Sequence, residues 1–264
     1  EYHAAEAAGF PDRNNTSPNV SAVVQSAPFN VSNALIVGCH FCGKVGQLSR
    51  CGGCKVAHYC SQDHQTVDRA AHKAFCNKVK KERTRLEAQE VTLRAHPGDS
   101  DTPPNAFAKG GEGYGRFWGY KGTRPYMKAR YLFIDALLLI NTKPAVEAAL
   151  EHALDMLHLN HSDNQGMRTI IPALYLRLGR DQDCYNFLHW WFVKDHLDSC
   201  ESDEDVMNTE VEYIWGDARF PVTEADAFQP VVGFLKEFFF TLPQLVSLTL
   251  VKVRMLIDMR NFYR

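Results

Sequence analysis

Between residues 39 and 76 the 264-residue chain holds eight potential metal ligands in four close pairs, made of six cysteines and two of the segment's four histidines. Zn²⁺ binds thiolate sulfur and imidazole nitrogen, and a structural zinc site is a tetrahedron of four protein ligands. Eight ligands in four close pairs therefore predict two zinc ions, which compensate for a core too small to fold alone. The pairs are Cys39-x2-Cys42, Cys51-x2-Cys54, Cys60-x3-His64 and His72-x3-Cys76.

The alternative to zinc is a set of disulfides or of free buried thiols. Two histidines stand in register with the cysteines, and a histidine has no part in a disulfide. We therefore favour zinc. The spacing alone does not establish which pairs share an ion.

The residues around the ligands resemble the MYND-type zinc fingers. The resemblance lies in "CHFCGKVGQLSRCGGCKVAHYCSQDHQTVDRAAHKAFC" and covers almost the whole finger. In that family the first pair joins the third and the second joins the fourth, so both sites would be closed Cys3His sites that do not activate water. The resemblance implies one ion on Cys39, Cys42, Cys60 and His64 and the other on Cys51, Cys54, His72 and Cys76.

The same resemblance implies a binding function. MYND fingers commonly recognise short proline-containing peptides in a shallow groove, which would place Tyr59, Ser61 and Gln65 near that groove. Arg69 stands where the family usually has tryptophan, and its guanidinium can stack or pair with an acidic group instead of forming a flat apolar wall. We therefore predict that Tyr59, Ser61, Gln65 and Arg69 bind a protein partner, for example a short peptide motif.

Composition along the chain predicts four regions. From residue 126 onward apolar residues recur at three- and four-residue steps, which is typical of amphipathic helices, and two helical pairs align at an offset of 37 residues, near the period of tetratricopeptide hairpins. The predicted fold is mainly α: a small two-zinc MYND finger plus a tetratricopeptide-like α-helical repeat domain. The regions are a loose leader (1–35), the finger (36–77), a charged helix with a Pro/Gly-rich connection (78–123), and the helical domain (124–264) with an acidic loop near 198–212.

The helical half also looks familiar. The residues "TRPYMKAR…LHLNHSDNQGMR…LRLGRDQDCYNF" are similar to a helical-repeat domain found beside MYND fingers in fungal proteins. This resemblance implies a fold and no biochemical activity. Phe187, Trp190, Trp191 and Phe192 could anchor a partner, but helical spacing prevents all four from facing one way, so the core is the better assignment for each.

Charge is unevenly distributed. Residues 39–94 hold eleven Lys and Arg against five Asp and Glu, whereas residues 95–264 hold seventeen against twenty-three. The basic excess lies in residues 78–94, with interspersed glutamates and no aromatic residues, which favours a solvated helix face over a nucleic-acid patch. Nucleic-acid contact through this helix, as in a transcription or chromatin factor, stays open as the alternative function.

Three catalytic assignments are weaker. Some MYND fingers belong to SET-domain lysine methyltransferases, and the "NHSD" at 160–163 resembles their Asn-His-Ser-Cys motif, but Asp163 replaces the cysteine and no strand-rich sequence surrounds it. Cys184 and His189 are five residues apart on a predicted helix, which does not place a nucleophile and its base on one face. We interpret the histidines at 152, 158 and 161 as ordinary residues and not as a third metal site.

Cysteine usage bears on the compartment. Six of the eight cysteines are predicted ligands, and the first 38 residues lack the apolar stretch of a secretory signal. Reduced thiolates on zinc suit the cytoplasm or nucleus, and no segment approaches the roughly 18 apolar residues of a membrane span. The sequence thus predicts a non-enzymatic, zinc-stabilised adaptor for protein–protein interaction, with no membrane association.

Overall fold

One helix, α1 (Gln62–Arg94), begins among the predicted ligands and runs for 33 residues. Ser61 caps it from an extended backbone conformation, and its Oγ accepts a hydrogen bond from the N–H of His64 at 3.2 Å. Buried side chains recur along α1 at seven-residue intervals, the spacing of a helix that packs one face along a partner. They are His72, Val79, Leu86 and Leu93.

The computed structural model describes residues 34–199, 225–228 and 241–263, and of residues 192–199 only the backbone. Residues 1–33 of the predicted leader (1–35) and residues 200–212 of the predicted acidic loop (198–212) lie outside this described part. The remaining elements are β1 (Ser49–Arg50), β2 (His58–Tyr59), α2 (Arg124–Leu138), α3 (Lys143–Leu159), α4 (Met167–Arg177), α5 (Asp181–Ser199) and α6 (Leu242–Phe262).

The short strands β1 and β2 form an antiparallel pair inside the ligand-rich segment, with Ser49 opposite Tyr59 and Arg50 opposite His58. Within the described residues, β1 and β2 make up a two-stranded sheet. The chain is thus mainly helical with a small finger, and that part of the fold prediction is confirmed.

The Pro/Gly-rich connection between α1 and α2 is tightly packed. It contains two 3₁₀ turns, Phe117–Gly119 and Lys121–Thr123, and both Phe117 and Thr123 are fully buried. The ring of Phe107 lies 5.0 Å from that of Tyr126 in α2, at a nearly perpendicular angle. The connection therefore contributes aromatic side chains to the core.

The helices pack in chain order, each on the next from α1 to α5, and α6 closes against α4 and α5. Phe187, Trp190 and Trp191 of α5 are almost fully buried in this core. The assignment of these three aromatic residues to the core agrees with this burial, and the side chain of Phe192 lies outside the part that the structure describes.

The finger is bonded to the helical body at several points. Thr142, the N-cap residue of α3, is buried, and its Oγ1 donates to the carbonyl oxygen of Val56 at 2.8 Å. Ile36 exchanges backbone hydrogen bonds with Asn141 and Lys143, both at 3.0 Å. The described residues from Leu35 onward consequently form one packed unit.

A buried arginine organises the contact between α2 and α3. Arg130 is 7% exposed, and its guanidinium donates to Nδ1 of His152 at 3.1 Å, to the hydroxyl of Tyr126 at 3.1 Å and to the carboxylate of Asp155. Burial, and then the charge of Arg130, lower the pKa of His152 to about 4. His152 is therefore neutral at physiological pH, as an acceptor must be.

None of the helices among the described residues is both long enough and apolar enough to span a bilayer.

Replacing Thr142 by valine should weaken the attachment of the finger to the body. The change keeps the shape but removes the hydrogen bond to the Val56 carbonyl and the cap of α3, so we expect the free energy of unfolding to fall by about 1–3 kcal/mol. Urea denaturation of the zinc-loaded chain measures this. Thr92→Val is the matched control, because exposed Thr92 bonds only to its own helix, to Ala88. Equal stabilities of the two variants would contradict the contact.

His152 should make stability depend on pH. Its pKa in the folded chain, about 4, lies below the 6.5 of an unfolded chain, so between these values the unfolded state binds more protons and stability falls as the pH falls. His152→Asn keeps an acceptor for Arg130 but does not titrate. From pH 7 to pH 5.5 the wild type should lose about 1 kcal/mol more than this variant, in denaturant unfolding at each pH. Parallel stability curves would exclude the effect.

Candidate metal centres

The first cluster consists of Cys39, Cys42, Cys60 and His64, whose donor atoms all lie within 4.8 Å of one another. The Sγ atoms of Cys42 and Cys60 are 3.7 Å apart, and Nδ1 of His64 lies 3.7 Å from the sulfur of Cys39 and 3.1 Å from that of Cys60. A tight turn holds the first two cysteines, since the Cys39 carbonyl accepts from the N–H of Gly43 at 2.7 Å. Residue 60 directly follows β2, and residue 64 lies in the first turn of α1.

The second cluster consists of Cys51, Cys54, His72 and Cys76, again with all donor atoms within 4.8 Å. The Sγ atoms of Cys51 and Cys76 are 3.6 Å apart, and Nε2 of His72 lies 3.5 Å from the sulfur of Cys54. His72 and Cys76 are one turn apart on α1. Gly53 permits the close turn, because a Cβ there would lie 2.5 Å from the sulfur of Cys76.

The two donor sets fit zinc by their dimensions. A tetrahedral ion with bonds of about 2.3 Å to sulfur and 2.0–2.1 Å to nitrogen places two sulfurs about 3.8 Å apart and a sulfur about 3.5 Å from a nitrogen. The sulfur–sulfur distances of 3.6 and 3.7 Å, and sulfur–nitrogen distances of 3.1 to 3.7 Å, agree with that geometry. Both clusters thus have the size and ligand chemistry of Cys3His zinc sites.

The ionisation of the cysteine thiols also favours a cation in each cluster. Burial opposes ionisation of Cys39, but the backbone N–H groups of Cys42 and Cys60 lower its pKa to about 6. Burial and the hydrogen bonds of neighbouring thiols raise the pKa of Cys60 to about 11 and that of Cys76 to about 12. One thiolate therefore forms readily while its neighbours resist ionisation, and a dication among them removes that penalty.

These sites have a structural role. A zinc ion held by either donor set would join the loops of the finger to α1, and four protein side chains would be available to fill its coordination. What this chain supplies is the donor set and the backbone geometry that orients it.

The four predicted peptide-binding residues differ in their exposure to solvent. Tyr59 is 1% exposed, so its predicted contact with a peptide is wrong: the phenol lies in the finger core and donates to Asp68. Ser61 is exposed but serves as the N-cap of α1. Gln65 is half-buried and Arg69 is exposed, one turn further along the helix.

Two polar residues with a part in the finger were missed in the sequence. Oδ2 of Asp68 lies 2.7 Å from Nδ1 of His40 and accepts from the Tyr59 hydroxyl at 2.6 Å. His40, Asp68 and His72 form a third group of donor atoms within 4.8 Å of one another. A signal was present, since Asp68 stands four residues from a ligand on either side.

The other sequence constellations have structural roles. The side-chain oxygen of Asn160 accepts from the N–H of Trp118 at 3.1 Å, and the carboxylate of Asp163 accepts from the N–H groups of Met167 and Arg168 at the start of α4. Within the described residues the three groups above are those close enough to hold a metal, so the histidines at 152, 158 and 161 belong to none.

A cleft of about 440 Å³ opens between the end of α1 and the pair α2–α3. Two of its acidic side chains are paired with arginines that line the same cleft: Glu90 with Arg94 at 2.7 Å, and Asp155 with Arg130. We assign no chemistry to it.

Comparison with known proteins identifies the finger. Residues 39–76 match the MYND finger family. Over 60 residues the chain is 33% identical to Egl nine homolog 1 of Mus musculus, a match that covers 23% of this chain and 15% of that protein. No solved structure shows significant similarity to the chain. The chain thus contains a MYND finger with two Cys3His clusters that could bind two zinc ions, which confirms the cofactor prediction.

Native mass spectrometry of the full chain should show two zinc ions. Cys76→Ser should reduce the stoichiometry below two, because serine replaces a thiolate ligand with a poorer donor. Cys184→Ala is the control: this thiol is buried in α5, outside both clusters, and its removal should leave two ions bound. One ion in the wild type, or a lost ion in the control, would contradict the assignment.

Proposed function

We propose that this protein is a non-catalytic adaptor whose MYND finger binds a protein partner through its outer face. MYND fingers are commonly protein-interaction modules, and the match to that family over 39–76 carries the proposal. The partner is a segment that offers carboxylate or carbonyl groups to Arg69, whose exposed guanidinium presents donors in a rigid fork.

The surroundings of Arg69 support this face. Gln65 lies one turn earlier on α1, so the two side chains share a side of the helix. The ring of Phe41, which is 49% exposed, lies 5.0 Å from that of His64, the residue before Gln65. Gln65 and Arg69 form what we call the knuckle face, which combines an amide and a cation, and the exposed ring of Phe41 lies beside the residue that precedes Gln65.

The closed geometry of both clusters supports a non-enzymatic role, because four protein ligands leave no position for a substrate or a reactive water. The side chains that suggested a methyltransferase motif support it too. Asn160 and Asp163 already bond to the backbone of this chain, and neither is free to hold a substrate.

The proposal extends to the fold family of the helical body and to the compartment of the protein. Helices that pack in chain order, each on the next, are in keeping with a tetratricopeptide-like repeat body related to the fungal helical-repeat domain. Zinc thiolates are in keeping with a protein of the cytoplasm or nucleus.

The alternative is nucleic-acid contact by the basic stretch of α1, and its arginines weaken that reading. Arg83 donates to the carbonyl oxygens of Gly53 and Cys54 in the finger. Arg85 lies 3.8 Å from Glu82, and Arg94 2.7 Å from its neighbour on α1. These three arginines are engaged within the chain, which leaves the exposed Lys78, Lys80 and Lys81 as the cations of this stretch that a phosphate could contact.

Arg69→Ala should weaken partner binding by about 1–3 kcal/mol, the range for loss of a charged hydrogen bond. The partner is first captured on the zinc-loaded full chain, cross-linked and identified, and its affinity for each variant is then measured by titration. Lys81→Ala is the matched control, because Lys81 is also an exposed cation and lies further along α1. Both variants must retain two zinc ions.

The two readings give opposite results. If Arg69→Ala binds normally and Lys81→Ala loses affinity, the knuckle face is not the site. A steep loss of binding to random duplex DNA with rising salt would favour the nucleic-acid function instead.

A further inference from the structure

Asp68 occupies the midpoint between the two metal centres on α1. It follows His64 of the first cluster by four residues and precedes His72 of the second by four. Since residues four apart lie above one another on a helix, the three side chains share one face. A single carboxylate therefore stands one helical turn from a ligand of each ion.

The first cluster reaches Asp68 through two hydrogen bonds to one oxygen. Oδ2 accepts from the Tyr59 hydroxyl at 2.6 Å and lies 2.7 Å from Nδ1 of His40. His40 sits between the ligands Cys39 and Cys42, and Tyr59 directly precedes the ligand at position 60. The carboxylate thus fixes both backbone segments that supply the cysteines of the first cluster.

The second cluster reaches Asp68 through its histidine. His72 directs Nε2 to the sulfur of Cys54, and a ring nitrogen of His72 lies within 4.8 Å of the Asp68 carboxylate and of His40. The rings of His40 and His72 are 5.2 Å apart. At this distance the Asp68 carboxylate acts on the metal-binding imidazole through its negative charge, which favours a cation at the ring.

The network is shielded from solvent. The side chains of Asp68 and His40 are only 11% and 18% exposed, and Tyr59 is fully buried. Electrostatic interactions at such a site are screened much less than at the surface. The carboxylate therefore acts on both clusters with more strength than an exposed acid of the same helix would.

We propose that Asp68 is a positioning residue shared by both zinc sites, and that it couples them so that they fill and empty together. When either ion leaves, the backbone segment or ring that it held becomes free to move. The hydrogen bonds to Asp68 then loosen, and the other donor set loses part of its orientation. The coupling belongs to the finger itself and is independent of which partner the protein binds.

Competition with a chelator tests the coupling. Zinc-loaded full chain is titrated with EDTA, and species with two, one and zero ions are counted by native mass spectrometry. The wild type should pass from two ions to none with little one-ion species. Asp68→Asn keeps the size but removes the charge, so the one-ion species should accumulate, and zinc affinity should fall about 10- to 100-fold, the range for losing an outer-shell partner.

Asp63→Asn is the matched control. Asp63 lies in the first turn of the same helix and is exposed, so its neutralisation should leave the zinc distribution of the wild type unchanged. Far-UV circular dichroism checks that each variant keeps its helices. If Asp68→Asn behaves like Asp63→Asn, the proposal is overturned.

A spectroscopic measurement separates a shared role from a local one. With ¹¹³Cd in place of zinc, each Cys3His site gives one NMR resonance. Asp68→Asn should shift both resonances, whereas Asp63→Asn, at the residue before the ligand His64, should shift at most the resonance of the first site. A shift of one resonance alone would assign Asp68 to a single site and refute the sharing.

Tyr59→Phe guards against a variant that does not fold. It removes one hydrogen bond to Asp68 and keeps the buried ring, so it should raise the one-ion species to a level between the wild type and Asp68→Asn. If Asp68→Asn binds no metal, a shift of both cadmium resonances by Tyr59→Phe supports the proposal. An unchanged zinc distribution in Tyr59→Phe refutes it.

Discussion

The structure depends on the balance between clustered thiols and a dication. Three cysteines in each cluster resist joint ionisation because burial and neighbouring sulfurs raise the pKa of the later ones, and only a central cation reverses that preference. A bound dication would hold the conformation of the finger, whose hairpin contains only four paired residues. The carbonyl oxygens of Val56 and Gly53 accept hydrogen bonds from Thr142 and Arg83, so a fixed finger conformation also supports its contacts with α3 and α1.

The sequence revealed the metal chemistry far better than the contacts around it. Ligand spacing is local, so close pairs such as Cys39 and Cys42 are visible in the chain, whereas the crossed sharing of ions depends on how α1 folds back over the hairpin. That pairing was implied by family resemblance and is what the clusters show. The bond from Thr142 to Val56 joins residues 86 positions apart, and nothing in either local sequence indicates it.

Two misreadings share one physical cause. Tyr59 was assigned to a binding surface and Asp68 was overlooked, yet the two side chains bond to each other inside the finger. The groove assignment of Tyr59 rested on family resemblance, which does not report the burial of a side chain, and Asp68 is not one of the paired ligands that the spacing reveals. A small domain with almost no apolar core instead uses hydrogen bonds around its ligands to fix their geometry, and in this chain that role falls to one carboxylate.

The long helix α1 has a mechanical consequence. With 33 residues it is about 50 Å long, and this one helix carries ligands of both zinc sites near its start and the packing surface for α2 further on. Adaptors often join their modules by flexible linkers, whose reach sets a low effective concentration between two bound partners. A continuous helix instead fixes the distance and the angle between the finger and the surface on which α2 packs. For the adaptor proposed above, this geometry would restrict simultaneous binding to partners whose spacing matches the length of the helix.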